Sequence, residues 1–162
     1  MVFLNEFHKK TLSVRSGVNK RNGEVMLVVA AVIAVIPAVM HMSCLYFGPA
    51  CYSYQMAPEV VVESAKAGTL LAPIGAFVVS ALFLLMAAYA LSAAQLIRKL
   101  PLLGLVIYFM SAACVIRGIL GIQLWFRFPE RLNEFGTVSN WLWLLAGILF
   151  FVGYRLVKVG DK

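Results

Sequence analysis

Four long apolar runs, separated by short polar segments, constrain this chain more than any other feature of its sequence. They cover about residues 25–47, 69–97, 101–126 and 138–157. A helix needs about 20 apolar residues to cross the hydrocarbon core of a bilayer, and each run reaches that length. Of the 162 residues, 62% are hydrophobic, whereas a soluble domain has about 45–50%. The sequence therefore predicts an all-α integral membrane protein, with four transmembrane helices bundled into one domain over residues 25–158.

A basic leader, residues 1–24, precedes the first run and is predicted to be cytoplasmic or interfacial. Phe3 and Phe7 have the spacing of one helix face, so a short interfacial helix and a solvated leader are both open. In the loop after the first run, Pro58 is followed by Glu59 and Glu63. Proline and acidic residues favour the first turns of a helix. A short helix at the membrane surface is therefore expected in this loop.

The distribution of basic residues predicts which way the helices cross. Ten of the fourteen Lys and Arg fall on the side that carries both termini: Lys9, Lys10, Arg15, Lys20, Arg21, Arg98, Lys99, Arg155, Lys158 and Lys162. Lys66, Arg127 and Arg131 fall in the loops on the opposite side. Because cytoplasmic loops are enriched in Lys and Arg, both termini are predicted to be cytoplasmic. The net charge of +7 then reflects topology, and no nucleic-acid partner is expected.

Arg117 and His41 are the polar residues of greatest interest inside the apolar runs. A charge within a span costs roughly 2.5–3.5 kcal/mol on insertion scales and usually faces a protein interior or a cavity. Both residues are predicted to lie at equal depth near the outer face, with Glu59 and Glu63 as the nearest carboxylate partners. The four side chains predict an outward-facing ligand-binding pocket. The alternatives are an Arg117 side chain that reaches the headgroups and a purely structural histidine.

Aromatic residues gather at the outer ends of the last two spans, where Trp125, Trp141 and Trp143 lie. An interfacial aromatic belt is typical of such positions. Stacking on a flat aromatic drug is the alternative, and Trp125 and Trp141 are therefore included among the candidate ligand-binding residues.

A stripe of small residues runs along the first span, at Ala30, Ala34 and Ala38. Small residues let helices approach closely in a membrane, where packing drives their association. Packing within one chain and a homodimer seam are both open.

The chain has three cysteines, Cys44, Cys51 and Cys114. A turn at Gly48-Pro49 would bring Cys44 and Cys51 together as a disulfide, and two separate thiols are the alternative. A quinone-coupled thiol oxidoreductase is disfavoured, because this sequence lacks the C-x-x-C and the second cysteine pair of such enzymes. Phosphate loops, H-E-x-x-H motifs and nucleophile elbows are also missing from the sequence. We therefore expect a protein that is not an enzyme and holds no cofactor or metal.

Two segments carry a resemblance to a known family: C-V-I-R-G-I-L-G-I over residues 114–122 and R-F-P-E-R-L-N-E-F over residues 127–135. With the chain length, the basic leader and the span containing His41, they resemble the AciT-like proteins. These are small four-helix inner-membrane proteins of gammaproteobacteria linked to ciprofloxacin tolerance. The resemblance implies a dimeric, non-enzymatic inner-membrane protein that affects fluoroquinolone tolerance or envelope permeability, and it supplies no catalytic residue.

The expected function is thus a contribution to drug tolerance or envelope permeability through an outward-facing pocket. The expected partners are membrane lipid, a second copy of the chain, and a small-molecule ligand or drug. A small dimeric transporter is the alternative.

Overall fold

The computed structural model describes the backbone of residues 2–161 and the side chains of residues 16–130 and 132–161, and the regular secondary structure of this part is entirely helical. The helices are α1 (Val2–Phe47), α2 (Pro49–Tyr54), α3 (Glu59–Lys66), α4 (Leu71–Ala93), α5 (Leu103–Arg127) and α6 (Glu134–Gly160), with a 3-10 turn at Pro129–Arg131. Helices α1, α4, α5 and α6 contain segments long and apolar enough to cross a membrane. This confirms the prediction of an all-α chain with four helices that are long and apolar enough to span a membrane.

Helix α1 runs without interruption through the boundary predicted between leader and span. Its 46 residues make it about 69 Å long at 1.5 Å per residue. The interfacial position predicted from Phe3 and Phe7 concerns side chains outside the described residues. Farther along α1, the ammonium of Lys20 lies 2.7 Å from the carboxylate of Asp161. This hydrogen bond holds the pKa of the Asp161 carboxyl below its usual value, and it ties α1 to the residue that follows α6.

Helix α4 ends at Ala93, four residues before the predicted end of the second span at residue 97. Gln95 adopts a left-handed conformation with φ 61°, and its N–H donates to the carbonyl of Ser92, as in a helix-ending Schellman motif. The Ser92 hydroxyl accepts from the N–H of Leu100 at 2.9 Å and donates to the carbonyl of Arg98 at 3.1 Å. Hydropathy predicted a longer span because the sequence beyond Ala93 is still largely apolar. The turn that ends the helix depends instead on hydrogen bonds of Ser92, a residue that hydropathy does not single out.

Helices α2 and α3 lie in the connection between α1 and α4. Helix α3 confirms the short helix predicted in this loop, whereas α2 was not predicted. Helix α2 begins at Pro49 after Gly48, whose φ of 72° is a conformation that glycine adopts readily. The Asn133 amide, from the α5–α6 connection, donates to the Tyr54 carbonyl at 2.8 Å. We call this end of the molecule, where α2, α3 and the α5–α6 connection meet, the loop end.

The opposite end carries Lys20, Asp161 and the α4–α5 connection, since the amide of Gln95 donates to the Asp161 carboxylate at 2.6 Å. We call it the terminal end. The largest core cluster joins all four long helices, and its members include Leu27, Ala90, Ile107 and Phe150. The second cluster lies at the loop end and draws on α1 to α4, without a buried member from α5 or α6 among the described residues. All four long helices therefore share the first core, whereas at the loop end α1 and α4 form a core with α2 and α3.

The alanine stripe of α1 packs against other parts of the same chain. Ala30, Ala34 and Ala38 are all buried, and the Ser80 hydroxyl on α4 donates to the carbonyl of Ala38 at 2.9 Å. These contacts match the intramolecular alternative. The predicted homodimer would need another face.

Helices α5 and α6 approach each other closely at two glycines of α5. A Cβ atom at Gly118 would lie 2.9 Å from the Cα of Leu144, and a Cβ at Gly121 would overlap the side chain of Asn140. The Ser111 hydroxyl also donates to the carbonyl of Gly147 at 2.8 Å. Small residues permit such close backbone contact between helices in lipid, and here they place α5 directly beside α6.

Candidate functional site

A groove of about 650 Å³ lies between α1, α4 and α6 and extends toward the loop end. Its walls are mainly aliphatic and aromatic side chains. Two of them, Leu82 on α4 and Val138 on α6, are 57% and 58% exposed, so the groove is open to the molecule's surroundings. The described polar side chains that line it are His41, Gln55, Arg117 and Ser139. Ligand sites are typically apolar concavities with a few such polar groups.

Arg117 reaches the groove from α5. Its Nη1 donates to Oδ1 of Asn140 on α6 at 3.1 Å. Because Asn140 lies opposite Gly121, four residues beyond Arg117, the arginine side chain turns about 6 Å toward the loop end. The ion pairs among the described side chains join Lys20 to Asp161 and Lys66 to Glu63. Within this part of the chain, Arg117 thus has an amide partner but no carboxylate partner.

His41 lies half-buried on α1 and lines the same groove. Its ring meets Phe83 edge-on, with 5.8 Å between ring centroids, and Phe83 in turn lies 5.5 Å from Trp143. No described group has hydrogen-bond geometry to the buried Nδ1 of His41. The two residues that the sequence singled out, His41 and Arg117, therefore line the same groove.

The predicted carboxylate partners do not reach this groove. Glu59 and Glu63 are exposed on α3. Glu63 accepts a hydrogen bond from Lys66 at 2.7 Å, and this contact raises the pKa of Lys66. The expected cluster of His41, Arg117 and a glutamate is therefore not formed. Glu63 lies one helical turn from Lys66 on the same short helix, so the carboxylate has a partner closer at hand than the side chains of the groove.

The two predicted tryptophans also lie outside the groove, while a third lines it. Trp125 packs against Phe126 with 4.9 Å between ring centroids, and Trp141 is exposed. Trp143, two residues later on α6, faces the groove instead. Successive helical residues point about 100° apart, so hydropathy alone does not tell which tryptophan faces inward. A ligand-binding role for Trp125 and Trp141 stays a prediction.

Asn140 was missed by the sequence analysis. It is 2% exposed between α5 and α6, and its Nδ2 has no hydrogen-bond partner among the described residues. Asn140 could have been recognised from the sequence, because a carboxamide inside an apolar run is costly to bury unless it is hydrogen-bonded. Its oxygen fixes the guanidinium of Arg117, so Asn140 is a positioning residue for the groove.

A disulfide joins Cys44, near the end of α1, to Cys51 on α2. The nearby Gln55 amide donates to Cys44 Sγ at 2.8 Å and to the Met40 carbonyl at 2.9 Å. Gln55 and Met40 both line the groove. The disulfide thus holds a polar side chain at the loop end of the groove, which the cysteine spacing alone did not indicate.

Replacing Cys44 and Cys51 together by alanine is expected to lower the free energy of unfolding by about 2 kcal/mol, because the bridge closes a short loop. Thermal melting in detergent would measure the loss. A reductant should lower the melting temperature of the wild type toward that of the variant and leave the variant unchanged. Identical melting of all samples would contradict the prediction. Retained function in the variant would rule out the thiol oxidoreductase alternative.

The site is thus an apolar groove with an amide-anchored guanidinium and a histidine side chain near its loop end. Comparisons of the chain with protein-family models, curated proteins and solved structures found no match.

Proposed function

We propose that the protein spans the bacterial inner membrane as a four-helix bundle with both termini in the cytoplasm. The terminal end of the fold carries Lys20, Arg98 and Lys158, among other basic residues, and the loop end carries Lys66 and Arg127. An excess of Lys and Arg marks the cytoplasmic side of short loops. In this orientation the groove extends into the outer leaflet, with its loop end toward the periplasm.

In that membrane the protein acts as a non-enzymatic binding protein. Its groove takes up an amphiphilic small molecule, and by doing so the protein contributes to envelope permeability and to fluoroquinolone tolerance. The link to tolerance comes from the resemblance of residues 114–122 and 127–135 to the AciT-like proteins. The binding role comes from the groove.

The observation that carries the binding role is the guanidinium of Arg117 in an apolar groove, without a carboxylate partner in the described chain. A charge within a span is costly, and such residues commonly mark the path or site of a ligand. A negatively charged group on the ligand would compensate the arginine. The rings of Phe83 and Trp143 would pack against the apolar part of the same molecule.

A groove-filling substitution tests this function. Leu82→Trp adds bulk inside the groove, whereas Leu85→Trp makes the same change three residues later on α4, at a residue that is 53% exposed and outside the groove. In a deletion strain, the Leu85→Trp gene should restore fluoroquinolone tolerance and the Leu82→Trp gene should not. Equal restoration at matched membrane levels would refute the groove as the functional site.

Gradient-driven flux separates this proposal from a small dimeric transporter. Proteoliposomes that contain the protein should bind a fluoroquinolone or another amphiphile without accumulating it when a proton gradient is imposed. Accumulation that depends on the gradient would favour the transporter and overturn the accessory role.

A further inference from the structure

We propose that the resident ligand of the groove is an anionic phospholipid, with its phosphate at Arg117 and one acyl chain along the groove. This inference rests on the proposed binding function and names its ligand. Three features carry it: the length of the groove, its charge, and its opening toward the membrane.

The length of the groove matches one leaflet of a bilayer. Along α6 its lining extends from Phe135 to Phe150, fifteen residues apart, which is about 22 Å of helix. A bilayer is about 40–45 Å thick with its headgroups, so one leaflet measures roughly 20–22 Å. Phe135 and Gln55 lie at the loop end, and Phe150 belongs to the core that all four long helices share. A groove of this length suits a chain with a headgroup better than a compact drug.

The charge of the groove selects an anion. Among the described lining residues, Arg117 is the one with a permanent charge, and none is Asp or Glu. A guanidinium has five N–H donors, and within the described side chains one of them is used, from Nη1 to Asn140. The remaining donors suit a phosphate, which arginine binds through paired hydrogen bonds. The Asn140 amide beside the guanidinium is buried, and its Nδ2 has no hydrogen-bond partner among the described residues.

The opening of the groove lets a lipid enter without leaving the membrane. Leu82, Val138 and Ile36 line the groove and are exposed, although all three lie on membrane-spanning helices. Their surroundings in a bilayer are acyl chains. The arginine turns toward the loop end, which in the proposed orientation is the headgroup side of the outer leaflet. Chain and headgroup of one lipid then meet the apolar wall and the guanidinium at the same time.

Quenching of Trp143 by brominated lipids tests this inference. The chain has three tryptophans, so the variant Trp125→Phe/Trp141→Phe retains only the one in the groove. It is reconstituted in phosphatidylcholine vesicles that contain a small fraction of phosphatidylglycerol or phosphatidylcholine with brominated chains. We expect brominated phosphatidylglycerol to quench Trp143 at about a tenfold lower lipid fraction than brominated phosphatidylcholine, the difference expected of one charge-assisted contact.

Two matched variants separate the groove from the general lipid shell. A protein that retains only Trp125, which lies outside the groove, should show no preference between the two lipids. In the Trp143-only protein, Arg117→Gln should remove the preference for phosphatidylglycerol, and Arg117→Lys should retain part of it.

Equal quenching of Trp143 by both lipids would overturn the lipid assignment, and so would a preference that survives Arg117→Gln. Neither result would bear on the proposed binding function, which is tested separately by Leu82→Trp against Leu85→Trp and by gradient-driven flux. The two ideas can therefore be rejected separately.

Discussion

Replacing Arg117 by glutamine is expected to abolish the protein's contribution to drug tolerance and to leave the protein folded. The substitution removes the positive charge of the groove but keeps a polar side chain able to contact Asn140. A hydrogen bond to a charged group contributes about 1.5–3 kcal/mol, so affinity for an anionic ligand should fall roughly 10- to 100-fold. Because a charge within a span is itself costly, the melting temperature should stay constant or rise. Complementation of a deletion strain and melting in detergent would measure the two effects.

Arg127→Gln is the matched control, since it removes the same charge from the last turn of the same helix but outside the groove. It should complement fully. A clear drop in melting temperature for Arg117→Gln would contradict this prediction, because it would mean that the arginine is needed for folding through its contact with Asn140. Full complementation by Arg117→Gln would show that Arg117 is not part of the functional site.

The four long helices could be predicted from the sequence because the hydrophobicity of long segments determines where they lie. Apolar runs long enough to cross a bilayer leave few alternatives, and the structure has a long helix at each of the four. The short helix α3 was also predictable, because Pro58 and Glu59 favour a helix start. The end of α4 was not, since Ser92 and Gln95 stop the helix inside a run that is still apolar.

The candidate site could be predicted in part. His41 and Arg117 stood out because ionisable groups are rare in spans, and the structure places both on one groove. The side chains that contact His41 and Arg117 could not be predicted from the depth of each residue in its span. Asn140, Gln55 and Trp143 depend on which face each helix turns inward, and that is set by contacts between helices rather than by hydropathy.

The segment 114–122 also has a structural explanation that its resemblance to a family did not supply. Arg117 lies between Cys114, which is buried, and Gly118 and Gly121, which let α5 approach α6. Close approach brings Asn140 within reach of the arginine. The glycines and the charge are therefore parts of one arrangement, since a wider separation of the helices would leave the guanidinium without its amide partner.

Because Gly121 determines how closely Asn140 approaches Arg117, we expect a substitution at Gly121 to have a strong effect. A Cβ atom there would overlap the carboxamide of Asn140, and Asn140 is 2% exposed, so its side chain has little room to move aside. Gly121→Ala should therefore lower the free energy of unfolding by about 1–3 kcal/mol, as overpacking does in other cores, and displace the oxygen that holds Arg117. Gly75→Ala is the control, because a Cβ at Gly75 meets no atom within 4 Å. Alanine is the better helix former by about 1 kcal/mol, so this control should be neutral or stabilising.

The double variant Gly121→Ala/Asn140→Ala separates packing from positioning. Removing the carboxamide makes space for the new methyl group, so the double variant should regain most of the stability lost in Gly121→Ala. A coupling energy of about 1 kcal/mol or more in the double-mutant cycle, measured by denaturant or thermal unfolding in detergent, would establish the contact. The recovered protein should still bind its anionic ligand weakly, because Arg117 remains without its amide. Additive effects of the two substitutions would show instead that Gly121 and Asn140 are not in contact, and the account of how α6 positions the arginine would be wrong.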